Sequence, residues 1–191
     1  LDSTLIFHGP FSAFENDAIV PIDPDSIADD TELALKIRRN GDRVVFDPAI
    51  RYQEASHSDF RKRRQQKDRR GMGLIRLLYR QRDALGQHGL YGWLVLPFNW
   101  WFMIVSPWLV ALGVGLLTGG ALVAAGPFGL AVPAALGVFV WLGGRDMLGP
   151  LQPFYAVFDT QVSLWRASVE LLRGEGDGTW EIDEELREAF E

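Results

Sequence analysis

The strongest constraint on this chain is a long stretch without charge. Trp93 to Leu117 holds no charged residue, and neither does Ala121 to Leu142. Twenty-five helical residues at 1.5 Å rise reach about 37 Å, more than the ~30 Å hydrocarbon core of a bilayer. Two such runs would need a far larger soluble core to cover them than 191 residues supply. The sequence therefore predicts a mainly α membrane protein with spans near 93–117 and 121–142. Pro97 is expected near the first turn, Pro107 at a kink, and Thr118-Gly119-Gly120 as a tight turn between spans. Trp93, Trp100 and Trp101 stand where interfacial aromatics gather.

Charge sets the expected orientation. Between Arg61 and Arg82 there are ten Lys/Arg and one acid, Asp68. Arg76, Arg80 and Arg82 lie close before the first span, which puts residues 1–90 on the cytoplasmic side of a multi-pass protein in the cell membrane. A third segment, Met147 to Leu172, carries Gln152, Asp159, Arg166, Glu170 and Arg173 on one narrow helical stripe. It reads as a third span with that stripe against protein, or as a helix lying in the interface. For Asp159 an interhelical contact is weighed above a functional role. After Gly174 there are eight acids and one base, an acidic tail over 174–191. The acidic, lysine-poor composition suits a high-salt cytoplasm and points to a haloarchaeal source.

Before the apolar region the chain is polar. Ser58 to Leu85 reads as a basic helix within a 58–90 connector. Lys62, Arg69, Arg76 and Arg80 share one stripe, and Met72, Ile75, Leu78 and Tyr79 are its apolar residues. Such a helix beside a span ordinarily rests on anionic lipid. Nucleic acid is a poor partner, because no nucleic-acid motif accompanies the charge. Ile27 to Asn40 reads as a helix, with Asp25, Ser26 or Asp29 as cap and Gly41 at its C-terminal end. Arg43 to Phe46 reads as a short strand, Asp47-Pro48 as a turn and Ala49 to Glu54 as extended. With no cysteine and no metal-ligand spacing among His8, His57 and His88, thiol chemistry is excluded and no metal site is indicated. The adjacent carboxylates Asp29 and Asp30 can serve as helix cap, metal ligand or general base.

The order of these features carries a resemblance. Ala28-Asp29-Asp30-Thr31-Glu32-Leu33 opens the helix that ends at Gly41. Val44-Val45-Phe46-Asp47-Pro48, Glu54, Gln66-Lys67-Asp68-Arg69-Arg70 and apolar spans follow. Together with the loop Gly9-Pro10-Phe11-Ser12-Ala13-Phe14, this resembles the C-terminal half of family 2 glycosyltransferases, with their E/D-D-x-x-L helix, Q-x-x-R-W-type motif and membrane anchor. The resemblance implies that 1–57 is the C-terminal part of an α/β catalytic domain of GT-A type. It implies inverting transfer of a sugar from a nucleotide-sugar donor, with Asp30 as base and Asp29 beside it. Gln66, Arg69 and Arg70 fall on the motif that binds the pyrophosphate and acceptor region. Arg70 replaces the tryptophan of processive synthases, which favours single-sugar addition to a polyprenyl-phosphate or glycolipid acceptor. Membrane lipids are the other expected partner.

The nucleotide-binding half and its D-x-D motif, which would carry a Mg or Mn ion, are expected outside this chain. The chain is thus expected to be a fragment, inactive alone and binding no cation itself. The competing reading is a non-catalytic membrane scaffold that keeps the pattern. A transporter is disfavoured, because the two clear runs carry no ionisable residue.

Overall fold

A computed structural model describes Phe7, residues 12–47, Ala49, Arg51 and residues 60–174, apart from the side chains of 60, 61 and 63. Gly9 to Phe11 of the expected acceptor-side loop, the Asp47-Pro48 turn beyond Asp47, Glu54 and the acidic tail beyond Gly174 lie outside the described residues. Among those described, the elements are helical: α1 (Asp29–Arg39), α2 (Phe60–Arg80), α3 (Leu96–Trp100), α4 (Ser106–Ala125), α5 (Ala131–Gly143) and α6 (Gln152–Arg173).

The first helix follows from its pattern. Ala34, Leu35 and Ile37 are buried on one side, and Gly41 takes φ +99° just past the C-terminus, as the sequence predicts. The capping residue differs from expectation. The N-cap position is Ala28, without a side-chain cap, because Asp25 is drawn away to arginines of α2. The expected strand Arg43 to Phe46 does not form among the described residues. Val44 packs on Ala34 and Ile37, and its carbonyl accepts from Arg38 Nη2 at 3.2 Å. A strand needs a neighbour to close its hydrogen-bond ladder, and among the described residues Arg43 to Phe46 form no such ladder. The α/β character expected for 1–57 is therefore not seen in the described residues.

The second helix has two working faces. At about 100° per residue, Gln66, Arg69, Arg70, Gly73, Leu77 and Arg80 share one face, while Arg64, Lys67, Gly71, Ile75 and Leu78 share the opposite one. On the first face, a Cβ at Gly73 would lie 3.1 Å from Ile27 Cγ2 and 3.2 Å from the Ile27 carbonyl carbon. Glycine lets the segment leading into α1 pack directly on the helix. On the second face, a Cβ at Gly71 would meet Leu164 and Ala167 of α6 at 3.4 and 3.5 Å. Met72, Ile75 and Leu78 are buried there with Leu164, Ala167, Tyr91, Leu96 and Met103. Tyr79, expected on the apolar face, is exposed under the Arg82 guanidinium.

Ion pairs lock both faces. Asp25 receives Arg76 at 2.8 Å and pairs with Arg80, while Asp23 pairs with Lys36 at 3.0 Å. Glu32, 1 % exposed, accepts the Asp23 backbone N–H at 3.0 Å and pairs with Lys36 at 2.6 Å. Burial disfavours the Lys36 charge, but its bonds to Glu32 and Asp23 outweigh that and raise its pKa. On the α6 side, Asp159 pairs with Arg64 and with Lys67 at 2.6 Å, and Arg166 approaches Asp68 at 3.4 Å. From the polar stripe of α6, Asp159 and Arg166 thus meet α2, while Gln152 bonds to Gly143 and Asp146. Of the stripe expected to rest on lipid, Arg76 and Arg80 hold acids of this chain, as do Arg64 and Lys67 on the other face.

The apolar region corrects the expected boundaries. Its helical path passes through Pro97 and Pro107, each preceded by a widened π-turn. Leu96 N–H reaches Tyr91 O, and Ser106 N–H reaches Trp101 O. A proline ring crowds the carbonyl four residues back and brings no N–H, so the wider turn relieves the clash. Pro97 therefore lies inside the helical path rather than at its first turn. Thr118-Gly119-Gly120 is not a turn: α4 runs through it, with open space around both glycines. The chain turns at Gly126–Leu130, where Gly126 takes φ +55° before Pro127. There Gly129 lies against the backbone of Ala121, with no room for a side chain. The second run is thus shortened to α5, 13 residues and about 20 Å.

Among the described residues, Tyr91–Gly143 is the one helical stretch long and apolar enough to cross a membrane. Pro107 is the buried residue of α4, and Leu109, Leu112, Leu116 and Leu117 are exposed.

The turn location has a direct test. Gly129→Leu should destabilise the protein by about 2 kcal/mol or more, by forcing backbone apart. Gly119→Ala and Gly120→Ala should leave stability unchanged or raise it by up to about 1 kcal/mol. Thermal unfolding in detergent distinguishes the two outcomes. The Asp25 clamp has its own signature. Its bond to Arg80 lowers the Asp25 carboxyl from 3.8 to about 2. A depressed folded pKa stabilises above the unfolded value, so the contribution is complete above about pH 4 and lost as pH falls through about 2. Carboxyl NMR titration should find Asp25 near that low midpoint, returning towards its ordinary value in Arg80→Ala.

Candidate functional site

The sequence-selected residues fall on two elements that touch. Asp29 and Asp30 occupy the first turn of α1, and Gln66, Arg69 and Arg70 lie on the α2 face that carries Gly73. Ile27, two residues before Asp29, packs on Gly73, one turn along from Arg69 and Arg70. The close approach at glycine therefore sets the acidic helix start beside the basic motif. A small cleft lined by Ser26, Ile27, Glu32, Gly73 and Arg76 runs along the same seam.

Asp29 is exposed and Asp30 is half-buried. The Asp30 Oδ1 accepts the Thr31 backbone N–H at 2.6 Å and the Thr31 hydroxyl at 3.2 Å. Thr31 is in turn fixed by Phe7, whose N–H donates to its hydroxyl at 3.3 Å. Asp30 is thus held by the helix N-terminus, where the dipole favours a negative charge.

Arg69 feels Asp29. Its guanidinium is pushed down from its ordinary pKa, chiefly by burial and then by the charge of Arg70, while Asp29 pulls it back up. Two adjacent arginines beside an acid make a local field that attracts an anion on one side and balances it on the other. Gln66 lies one turn before Arg69 and Arg70 on the same face.

Among the described residues, no three His, Asp or Glu side chains gather to hold an ion. The chain does contain one Asp-x-Asp spacing, Asp23-Pro24-Asp25, but both carboxylates are neutralised by Lys36, Arg76 and Arg80. Those acids serve as a clamp.

Sequence reasoning missed the clamp, the buried Glu32, and the contacts that tie the end of α1 down. Arg39 reaches Asp83 at 2.6 Å, and Arg38 lies 4.3 Å above the Tyr91 ring. The signal existed as opposite charge, since an acidic loop precedes α1 and α2 is basic. Separations of 51 to 57 residues hide such pairing from any periodicity.

Comparison with known proteins adds one finding. The family model described as glycosyl transferase family group 2 matches residues 3–142, well over half of the chain, and spans both the site and the apolar region. No curated protein and no solved structure matches. With the acidic helix, the basic motif and the apolar helices all inside the matched span, this chain belongs to glycosyl transferase family group 2.

Proposed function

We propose that this chain is the acceptor-side and anchor part of an inverting glycosyltransferase that moves a sugar from a nucleotide-sugar to a lipid-linked acceptor. The observation that carries the reading is the approach of the α1 start, through Asp29, to Arg69 on α2 within the family match. In the full-length enzyme, an upstream nucleotide-binding region of GT-A type, with its own D-x-D motif and Mg or Mn ion, completes the site.

Chemistry at the seam needs three things. A base must take the proton of the acceptor hydroxyl as its oxygen bonds to the anomeric carbon. Asp30 fills that role, with Asp29 beside it on the first turn of α1. The bond from the anomeric carbon to the nucleoside diphosphate breaks, and the leaving oxygen keeps the electron pair. Arg69 and Arg70 suit that growing charge, since a guanidinium fork pairs with phosphate oxygens. Gln66 adds a neutral hydrogen-bonding group on the same face. Arg70, in place of an aromatic platform, fits transfer of a single sugar better than a processive chain.

The membrane setting follows from exposure. Twenty residues of α4 reach about 30 Å, one hydrocarbon thickness. Left in water, a contiguous apolar surface of this size would drive association. The chain returns through the turn and α5, whose Phe139 packs on Tyr155 and Phe158 of α6. We read α4 and its return as a hairpin in the cell membrane, with residues 1–90 on the cytoplasmic side and α6 at the surface. A lipid-linked acceptor would then meet the seam at the bilayer edge.

In the full-length enzyme, Asp30→Asn should lower sugar transfer by about a hundredfold or more while leaving donor affinity within a few-fold. Steady-state transfer and donor-binding titration check this. Near-normal turnover in Asp30→Asn would remove Asp30 as the base.

A further inference from the structure

The face of α2 opposite the motif is held by one carboxylate. Asp159, in the middle of α6, is paired with both Arg64 and Lys67, and its side chain is 18 % exposed. Arg64 and Lys67 precede and interrupt the motif that contains Gln66, Arg69 and Arg70. One helical turn further on, Gly71 lets Leu164 and Ala167 come into van der Waals contact with α2. Charge and close packing therefore act together. The ion pairs fix the rotation of α2 on α6, and the glycine fixes its distance.

Rotation matters because the two faces belong to one rigid helix. A turn of α2 about its axis that relaxes Arg64 and Lys67 carries Gln66 and Arg69 by the same angle on the other side. Burial strengthens the lock. Desolvation opposes the Asp159 charge, but the Lys67 and Arg64 hydrogen bonds prevail and keep its carboxyl below the ordinary range.

We infer that Asp159 is a positioning residue for glycosyl transfer: from the helix that follows the apolar region, it sets the register of α2 and so aims Gln66 and Arg69 at the reacting phosphate. The inference rests on the transfer reading above. Asp159 touches neither substrate nor reacting atoms, and acts through Arg64 and Lys67.

The chain has no cysteine, so a disulfide can be placed cleanly. Built on Gly71, an ideal Cβ lies 3.5 Å from Ala167 Cβ, within disulfide reach. The test uses the full-length enzyme in four forms: wild type, Asp159→Asn, Asp159→Glu, and Asp159→Asn carrying Gly71→Cys with Ala167→Cys. Turnover is read per folded molecule, alongside melting temperature. Asp159→Asn should lower kcat by about tenfold to a hundredfold, the cost of a misplacement near 1 Å, with a smaller change in donor KM. Asp159→Glu should keep most of the activity. Oxidation of the paired cysteines should restore kcat in the Asn background, and reduction should remove it again.

Loss in Asp159→Asn that a formed disulfide leaves unrepaired overturns positioning through α2. Full kcat in Asp159→Asn, with only a lowered melting temperature, reduces Asp159 to a structural residue and also overturns the inference. A folded wild-type enzyme without transferase activity overturns the functional reading itself, and this inference with it.

Discussion

Gly71 and Gly73, two residues apart on α2, point to opposite sides of the helix: a Cβ at Gly73 would crowd Ile27 at 3.1 Å, and one at Gly71 would meet Leu164 and Ala167 in van der Waals contact. The lead into α1 presses on one and α6 presses on the other. A side chain at Gly73 must displace the Ile27 segment, whereas a Cβ at Gly71 would sit in ordinary contact with α6. Through these contacts α2 becomes the shared wall of two units. One carries the acidic helix start, and the other follows the apolar helices.

Charge then fixes what packing permits. The basic residues of α2 divide between two sets of acids, Asp23 and Asp25 on the α1 side and Asp159 on the α6 side. Exposed pairs of this kind contribute little singly. Their value here lies in direction, since each holds one face to one partner. Arg69 and Arg70 lie between the two clamps along α2, with Asp29 acting on Arg69.

Local pattern was readable from the residues. The apolar spacing of α1 and the positive-φ glycine at Gly41 are short-range, so the helix and its end emerged where expected. So did the α6 stripe, because Gln152, Asp159 and Arg166 recur at helical period and meet polar partners. Three features were not readable. The turn at Gly126–Leu130 looks no stronger in sequence than Thr118-Gly119-Gly120, and only the approach of Gly129 to Ala121 selects it. The strand at Arg43 to Phe46 has the right composition but forms no ladder among the described residues. The basic helix looked like a lipid-binding one because its acids lie 51 to 57 residues before it and 92 to 95 after it. For the site, the motif residues and the family were legible in order and identity. Their apposition depends on Gly73 and Ile27, a contact that no motif encodes.

The central claim is that the α1 start and the α2 motif form one sugar-transfer site. The most direct measurement is transfer of labelled sugar from nucleotide-sugar to lipid extract by the full-length enzyme in native membranes, wild type against Gln66→Ala with Arg69→Ala. The account predicts transfer by the wild type and a loss of about a hundredfold or more in the double variant, with unchanged helix content. Equal transfer by the two proteins would contradict it.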